Sequence, residues 1–252
     1  VDAFVQAKAT LSKMRTAHVT FARSTGTTGK IQAALTEAEV GLSVNLELMD
    51  AAHLEVNTRS GVLQFTVTRG DGMSPVADVV LLPHDRSQRH TKVMATGFDP
   101  DATAPVFQAF LDRIMPDRMM QGFLQRWFGY SATALTTEQA LAFFYGTGAN
   151  GKSALTDLMA RLLGDYSATA KIESLTGQKA GAGRDSTPDL IPLFNARMVR
   201  ASEPEKGVQW QEGLIKALTG GEPILIRQLN MPFFEATPRF KLTISGNEKP
   251  DI

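Results

Sequence analysis

Eight consecutive residues constrain this chain more than any other stretch: Gly146, Thr147, Gly148, Ala149, Asn150, Gly151, Lys152 and Ser153. They satisfy in full the spacing of a phosphate-binding loop, two glycines five apart followed by Lys and Ser. The glycines let the backbone wrap tightly and turn its N–H groups inward as an anion nest. A helix expected from about Gly151 adds its positive N-terminal end. Lys152 is long enough to reach the outer phosphates of a nucleotide, and the Ser153 hydroxyl suits a Mg²⁺ ion. The flanks separate this pattern from a chance Gly-rich turn: Leu141, Ala142, Phe143, Phe144 and Tyr145 read as a short buried strand before it, and residues 154–163 as an amphipathic helix after it.

A loop of this kind works with an acid at the tip of a neighbouring strand, which holds the metal and orients water. Residues 196–201 read as such a strand and lead to Glu203, with Glu205 two residues on as a possible partner. Taken alone, Glu203 would be a solvated loop residue; beside the loop at 146–153 it becomes the candidate acid. Residues 240–245 read as a further strand, leading through Gly246 to Asn247, whose amide is suited to a terminal phosphate or to the attacking water. Strands alternating with helices from residue 137 onward predict an α/β fold with a mostly parallel sheet.

The rest of the chain carries less chemistry. Residues 1 to about 40 have helical spacing, with Phe4, Leu11, Met14, Ile31 and Leu35 on apolar faces and a break at 24–29. Alternation of Leu42, Val44, Leu46 and Leu48, then of Leu63, Phe65 and Val67, and a run from Val76 to Leu82 predict a small antiparallel sheet with a turn at Gly70, Asp71 and Gly72. Residues 84–104 read as a linker. Two helices follow, divided at Pro116 and Asp117, with Phe107, Phe110, Leu111 and Ile114 on the first and Met120, Phe123, Leu124 and Trp127 on the second as core stripes. The domain reading is 1–100 as an N-terminal α+β region, 101–135 as a helical segment and 136–252 as the P-loop core.

Composition narrows the function. There is no cysteine, which excludes disulfides and Cys-based zinc sites. Lys plus Arg and Asp plus Glu are equal at 26 each, so nucleic acid cannot be held by bulk charge and any contact needs a local patch. No apolar run reaches membrane-spanning length and no secretory signal is present, so the expected place is the cytoplasm. The chain opens on Val1 rather than Met, and a piece of a longer polypeptide is expected.

Taken together, the loop, the acid, the stretch Leu214 to Gly221, Arg227 and the strand ending in Asn247 occur in the order of the superfamily 3 helicase motifs. The segments 202–207, 216–229 and 246–252 resemble the phage and plasmid primase branch of that superfamily (P4-type, D5-like), and so do 53–65 and 123–133. The resemblance covers about residues 50–252. It implies an AAA+-like P-loop NTPase core with a preceding α+β and helical region, a homo-hexamer around single-stranded DNA, and ATP-driven unwinding in phage or plasmid replication within a bacterial host. It implies ATP and Mg²⁺ as cofactors: residues 146–153 on the nucleotide, Ser153 and Glu203 on the metal, and Lys152, Glu203 and Asn247 in catalysis. Residues 224–239 would form a DNA-contacting hairpin with Arg227 as its basic residue. The family's arginine finger lies beyond Asn247 and its primase domain upstream, so weak hydrolysis is expected of this stretch by itself. The alternatives are an AAA+ remodelling or loading ATPase, a small-molecule P-loop kinase, and a nucleotide-dependent scaffold without turnover.

Overall fold

The computed structural model describes residues 2–42, 44–68, 76–176, 187–202 and 208–247, and these divide into two compact units, 1–48 and 49–252. The first holds α1 (Asp2–Thr25) and α2 (Thr28–Leu42). The helices break where expected, at Gly26 and Thr27, where the Thr27 hydroxyl donates to Ser24 O. Their apolar faces are not core, however: neither helix has a buried residue, and Phe4, Leu11, Met14, Ile31 and Leu35 are all exposed. Among the described residues of 42–48 there is also no strand. Leu42 ends α2, and Leu46–Leu48 is one 3₁₀ turn, begun by Asn45, whose side chain accepts from Glu47 N at 2.9 Å. That local bond replaces a ladder bond, the usual way Asn diverts a chain from strand.

The second unit begins with the antiparallel sheet β1 (Glu55–Thr58), β2 (Gly61–Thr68) and β3 (Val76–Leu82), paired in that order. The turn expected at 70–72 lies outside the described residues. Segment 84–104 is irregular, as a linker would be, yet it is fastened on two sides. Met94 N donates to Asn57 O (2.9 Å), and Ala95 N donates to Leu162 O (3.1 Å). Its main-chain groups thus find protein partners in place of water. The Lys92 ammonium and Thr91 hold Asp50: burial alone would raise that carboxyl, but their hydrogen bonds outweigh it and keep it below the ordinary Asp value.

Two helices lead into the second sheet, α3 (Pro105–Ile114) and α4 (Arg118–Ala132), and the Asp117 carboxylate caps α4 by accepting from Met119 N at 2.8 Å. Of the stripe expected on α4, Leu124 and Trp127 are buried while Met120 and Phe123 are exposed. The second sheet contains β4 (Ala142–Phe144), β5 (Ser167–Thr169), β6 (Met198–Ser202) and β9 (Lys241–Ser245), all parallel, in the spatial order β4-β9-β6-β5. Between them run α5 (Lys152–Leu163), α6 (Ile191–Phe194), α7 (Glu212–Gly220) and a hairpin of β7 (Ile224–Ile226) and β8 (Phe234–Ala236).

Period-two alternation sorts the two faces of this sheet. Val199, Ala201, Leu242 and Ile244 point to a core completed by Leu193 at α6 and Leu218 of α7. Met198 points the other way, to a core shared with Leu163 of α5, Tyr166, and Val56 and Leu63 of the antiparallel sheet. On that face the Trp127 indole N–H donates to the Thr243 hydroxyl at 2.9 Å, docking α4 on β9. Helices on both faces explain why β9 is buried almost throughout although its residues alternate in polarity, Lys241, Thr243 and Ser245 with Leu242 and Ile244 between them. The expected α/β class with a parallel sheet is the observed one.

Candidate functional site

The register of the parallel sheet brings three strand ends level. Phe144 pairs with Ser245, and Ser245 with Ser202. The loop after β4, the Gly246-Asn247 step after β9 and the chain leaving β6 therefore emerge at one edge. β9 keeps its hold on β4 one residue further, with Gly246 N donating to Phe144 O at 2.8 Å. Asn247 is exposed at that edge. Ser202 is the last described residue of β6; Glu203 and Glu205 lie outside the described residues.

The loop at 146–153 has the backbone its glycines permit. Gly146 has φ +143° and Gly151 φ +86°, a region L side chains rarely adopt. A side chain would also crowd its neighbours: a Cβ on Gly146 would lie 2.6 Å from Asn150 Nδ2, the end of a side chain that can shift, and one on Gly151 2.7 Å from Ile114 Cγ2. Ala149 adopts φ +61° without that freedom, so the loop stores some backbone strain. Gly151, the N-cap of α5, has no side chain to cap that helix; Asn150 Oδ1 accepts from Lys152 N only at a long 3.5 Å. The Lys152 ammonium folds back over the loop and donates to Gly146 O (2.5 Å) and Asn150 Oδ1 (3.0 Å). Ser153 is exposed on the first turn of α5. The result is a narrow backbone cradle with a cation across it and a hydroxyl beside it.

One turn further along α5, Asp157 accepts from the Arg200 guanidinium, which also donates through Nε to Thr169 Oγ1 at 3.1 Å. This pair ties α5 across β5 and β6 just behind the loop. Sequence reading did not single out either residue, since an Asp on a helix and an Arg in a strand carry no pattern by themselves.

The stretch 224–239 does form a hairpin. Arg227 lies just past β7 with its guanidinium 4.5 Å from the centre of the Phe233 ring, and its N–H donates to the Thr187 hydroxyl at 3.2 Å. Leu229, Met231, Phe233 and Phe234 are exposed around it. The hairpin thus presents aromatic and aliphatic groups with one stacked Arg.

The opposite edge of the sheet holds two buried cations that sequence reading missed. Arg197, just before β6, is only 4% exposed. It donates to Glu55 O (2.6 Å), Ala132 O (2.9 Å) and Ala52 O (3.4 Å), and lies 4.4 Å over the Tyr166 ring. Lys241, the first residue of β9, donates to Thr133 O (2.5 Å) and Leu135 O (3.0 Å). Burial, then the neighbouring Arg197 charge, pushes its pKa down to about 7. A Lys or Arg at the start of a strand is the only signal the sequence gave. Among the described residues no group of three His, Asp or Glu side chains is placed to hold a metal, and no helix is long and apolar enough to cross a membrane.

A parallel sheet clothed by helices, with a glycine-bounded loop and a polar strand tip at one edge, defines an α/β protein. Comparison with known proteins narrows the class. Residues 3–116 match the family model described as "D5 N terminal like". The chain is 29% identical over 154 residues to "Putative helicase L207/L206" of Acanthamoeba polyphaga mimivirus, covering 61% of this chain and 16% of that protein. It is 28% identical over 148 residues to "Putative helicase 022R" of Frog virus 3 (isolate Goorha), covering 57% and 15%. The chain thus spans about one sixth of the length of these curated relatives. Among solved structures, the A form apo structure of the NrS-1 C terminal region aligns at TM-score 0.44 and 19% identity, over 58% of this chain and 33% of that one. The family and relative matches support the resemblance to D5-like primase-helicases read from the motifs.

Proposed function

We propose that this chain is the ATP-driven helicase portion of a phage or plasmid primase-helicase, with an AAA+-like P-loop core. The observation that carries the reading is the level set of strand ends: the cradle at 146–153, Asn247 and the chain leading to Glu203 all follow strands whose tips are in register. A nucleotide's phosphates need all three within a few ångströms, and a chance Gly-rich turn has no reason to meet them.

The loop fits a polyphosphate on two counts. Gly146 and Gly151 hold positive φ angles that side chains rarely adopt and that turn backbone N–H groups inward, and at the start of α5 the Asn150 side chain reaches Lys152 N only at 3.5 Å. Lys152 now satisfies its ammonium on Gly146 O and Asn150; phosphate oxygens would take over those bonds as stronger, charge-assisted acceptors. Ser153 and Glu203 would hold Mg²⁺, which supplies charge neutralisation at the transferring phosphoryl group. Asn247 would position the terminal phosphate or the water in line with it. Arg227 and the exposed rings beside it would meet single-stranded DNA, by stacking more than by charge. A homo-hexamer and a neighbouring primase domain complete the proposal for the whole protein.

ATP turnover with and without single-stranded DNA, together with equilibrium ATP binding, tests this. Lys152→Ala removes a charge-assisted bond of about 1.5–3 kcal/mol, so ATP affinity should fall roughly ten- to hundredfold. Unchanged affinity refutes the phosphate site. Turnover indifferent to DNA refutes the helicase and leaves a remodelling ATPase.

A further inference from the structure

We infer that the cavity between α3, α4 and α5 receives the base of the bound nucleotide, a flat heteroaromatic ring. The inference rests on the phosphate reading of residues 146–153 and adds the part of the ligand that the loop cannot recognise.

The cavity encloses about 460 Å³, inside the range of small-molecule sites, roughly 300–1,000 Å³. Its walls are mainly apolar: Phe107 and Leu111 of α3, Phe128 of α4, and Leu155 and Met159 of α5. Aromatic faces and a methionine sulfur suit a flat, polarisable ring better than a sugar or a phosphate. Gln125 adds an amide with no hydrogen-bond partner among the described residues, able to donate and accept at a base edge.

Position ties the cavity to the loop. Ile114, the last residue of α3, packs against Gly151 so closely that a Cβ there would lie 2.7 Å from its Cγ2. Leu111 is one turn back from Ile114 and Leu155 one turn on from Gly151, and both line the cavity. The opening therefore begins about one helical turn, ~5 Å, from the loop, a gap of the size a ribose spans. Phe128 also meets Phe144, the last residue of β4, edge to face with ring centres 6.1 Å apart. Cradle and cavity share the same supports.

Gly122 gives the test. It lines the cavity, and within 4 Å a Cβ there meets only the mobile Nη1 of Arg126, at 3.4 Å. Gly122→Leu fills the space while favouring the helix, and Gly122→Ala fills less of it. Calorimetric titration of each variant with Mg-ATP and with Mg-tripolyphosphate, which has phosphates and no base, separates base from phosphate. Gly122→Leu should weaken ATP about tenfold or more, Gly122→Ala less, and neither should change tripolyphosphate affinity. ATP binding that survives both substitutions overturns the base site. So does an equal loss for both ligands, which would trace to a disturbed loop. If neither ligand binds the unaltered protein, the phosphate reading fails and the base site fails with it.

Discussion

Arg197→Ala should be among the most damaging single substitutions away from the loop. The guanidinium bridges three segments of the second unit: the residues before and within β1, through Ala52 and Glu55, and the end of α4, through Ala132. Truncation leaves two well-bonded carbonyls without a donor, each worth about 1–3 kcal/mol when buried. It also removes the stack on Tyr166, about 0.5–2 kcal/mol. The bond to Ala52 at 3.4 Å is long and adds little. Against these stands relief of burying a cation, since burial already holds the Arg197 pKa below its ordinary value. The net loss should be about 3–5 kcal/mol, a large share of the stability of a typical domain. Urea unfolding followed by far-UV circular dichroism measures it, with the slope checked so that a change in the unfolded state is not mistaken for lost stability. Arg197→Lys should recover only part, because one ammonium cannot reproduce the fork. A loss below about 1 kcal/mol for Arg197→Ala would refute the idea that this side chain fastens the two sheets.

Two further substitutions test neighbouring claims. Gly151→Ala should cost about 2–4 kcal/mol, from the left-handed backbone and the overlap with Ile114; adding Ile114→Ala should return the steric part in thermal melts, and no recovery would place the cost in the backbone alone. For Lys241 the sign follows from its pKa of about 7, well below the ordinary 10.5. Between those values the unfolded chain binds more protons, so this residue makes stability rise with pH across that window. Lys241→Met should flatten the rise in urea midpoints from pH 7 to 10, and an unchanged slope would show that another group causes it.

The backbone of the loop at 146–153 and the sheet around it were legible because their signals are local. Glycines at 146 and 151 report backbone shape, the apolar run at 141–145 reports a short strand, and the alternation at 240–245 reports another. Pro116 and Asp117 likewise marked the helix boundary. What failed was whatever depends on distant partners. Phe4, Leu11 and Met14 have the spacing of a core face, yet spacing cannot say whether anything covers it. Alternation through Leu42 to Leu48 looked like strand until the Asn45 side chain capped a turn. The linker at 84–104 has a polar composition, but its main chain is claimed by Asn57 and by Leu162, residues the sequence does not associate with it.

The two buried cations opposite the loop are held by main-chain carbonyls at 55, 132, 133 and 135. Every residue type carries that carbonyl, so no substitution at those four positions removes the partner, and none can compensate for losing the cation. Arg197 and Lys241 should therefore stay fixed in descendants of this chain without any second position changing in step with them. Methods that find contacts from correlated substitutions would be blind to these bonds, including the one from Arg197 to Glu55 O of the antiparallel sheet.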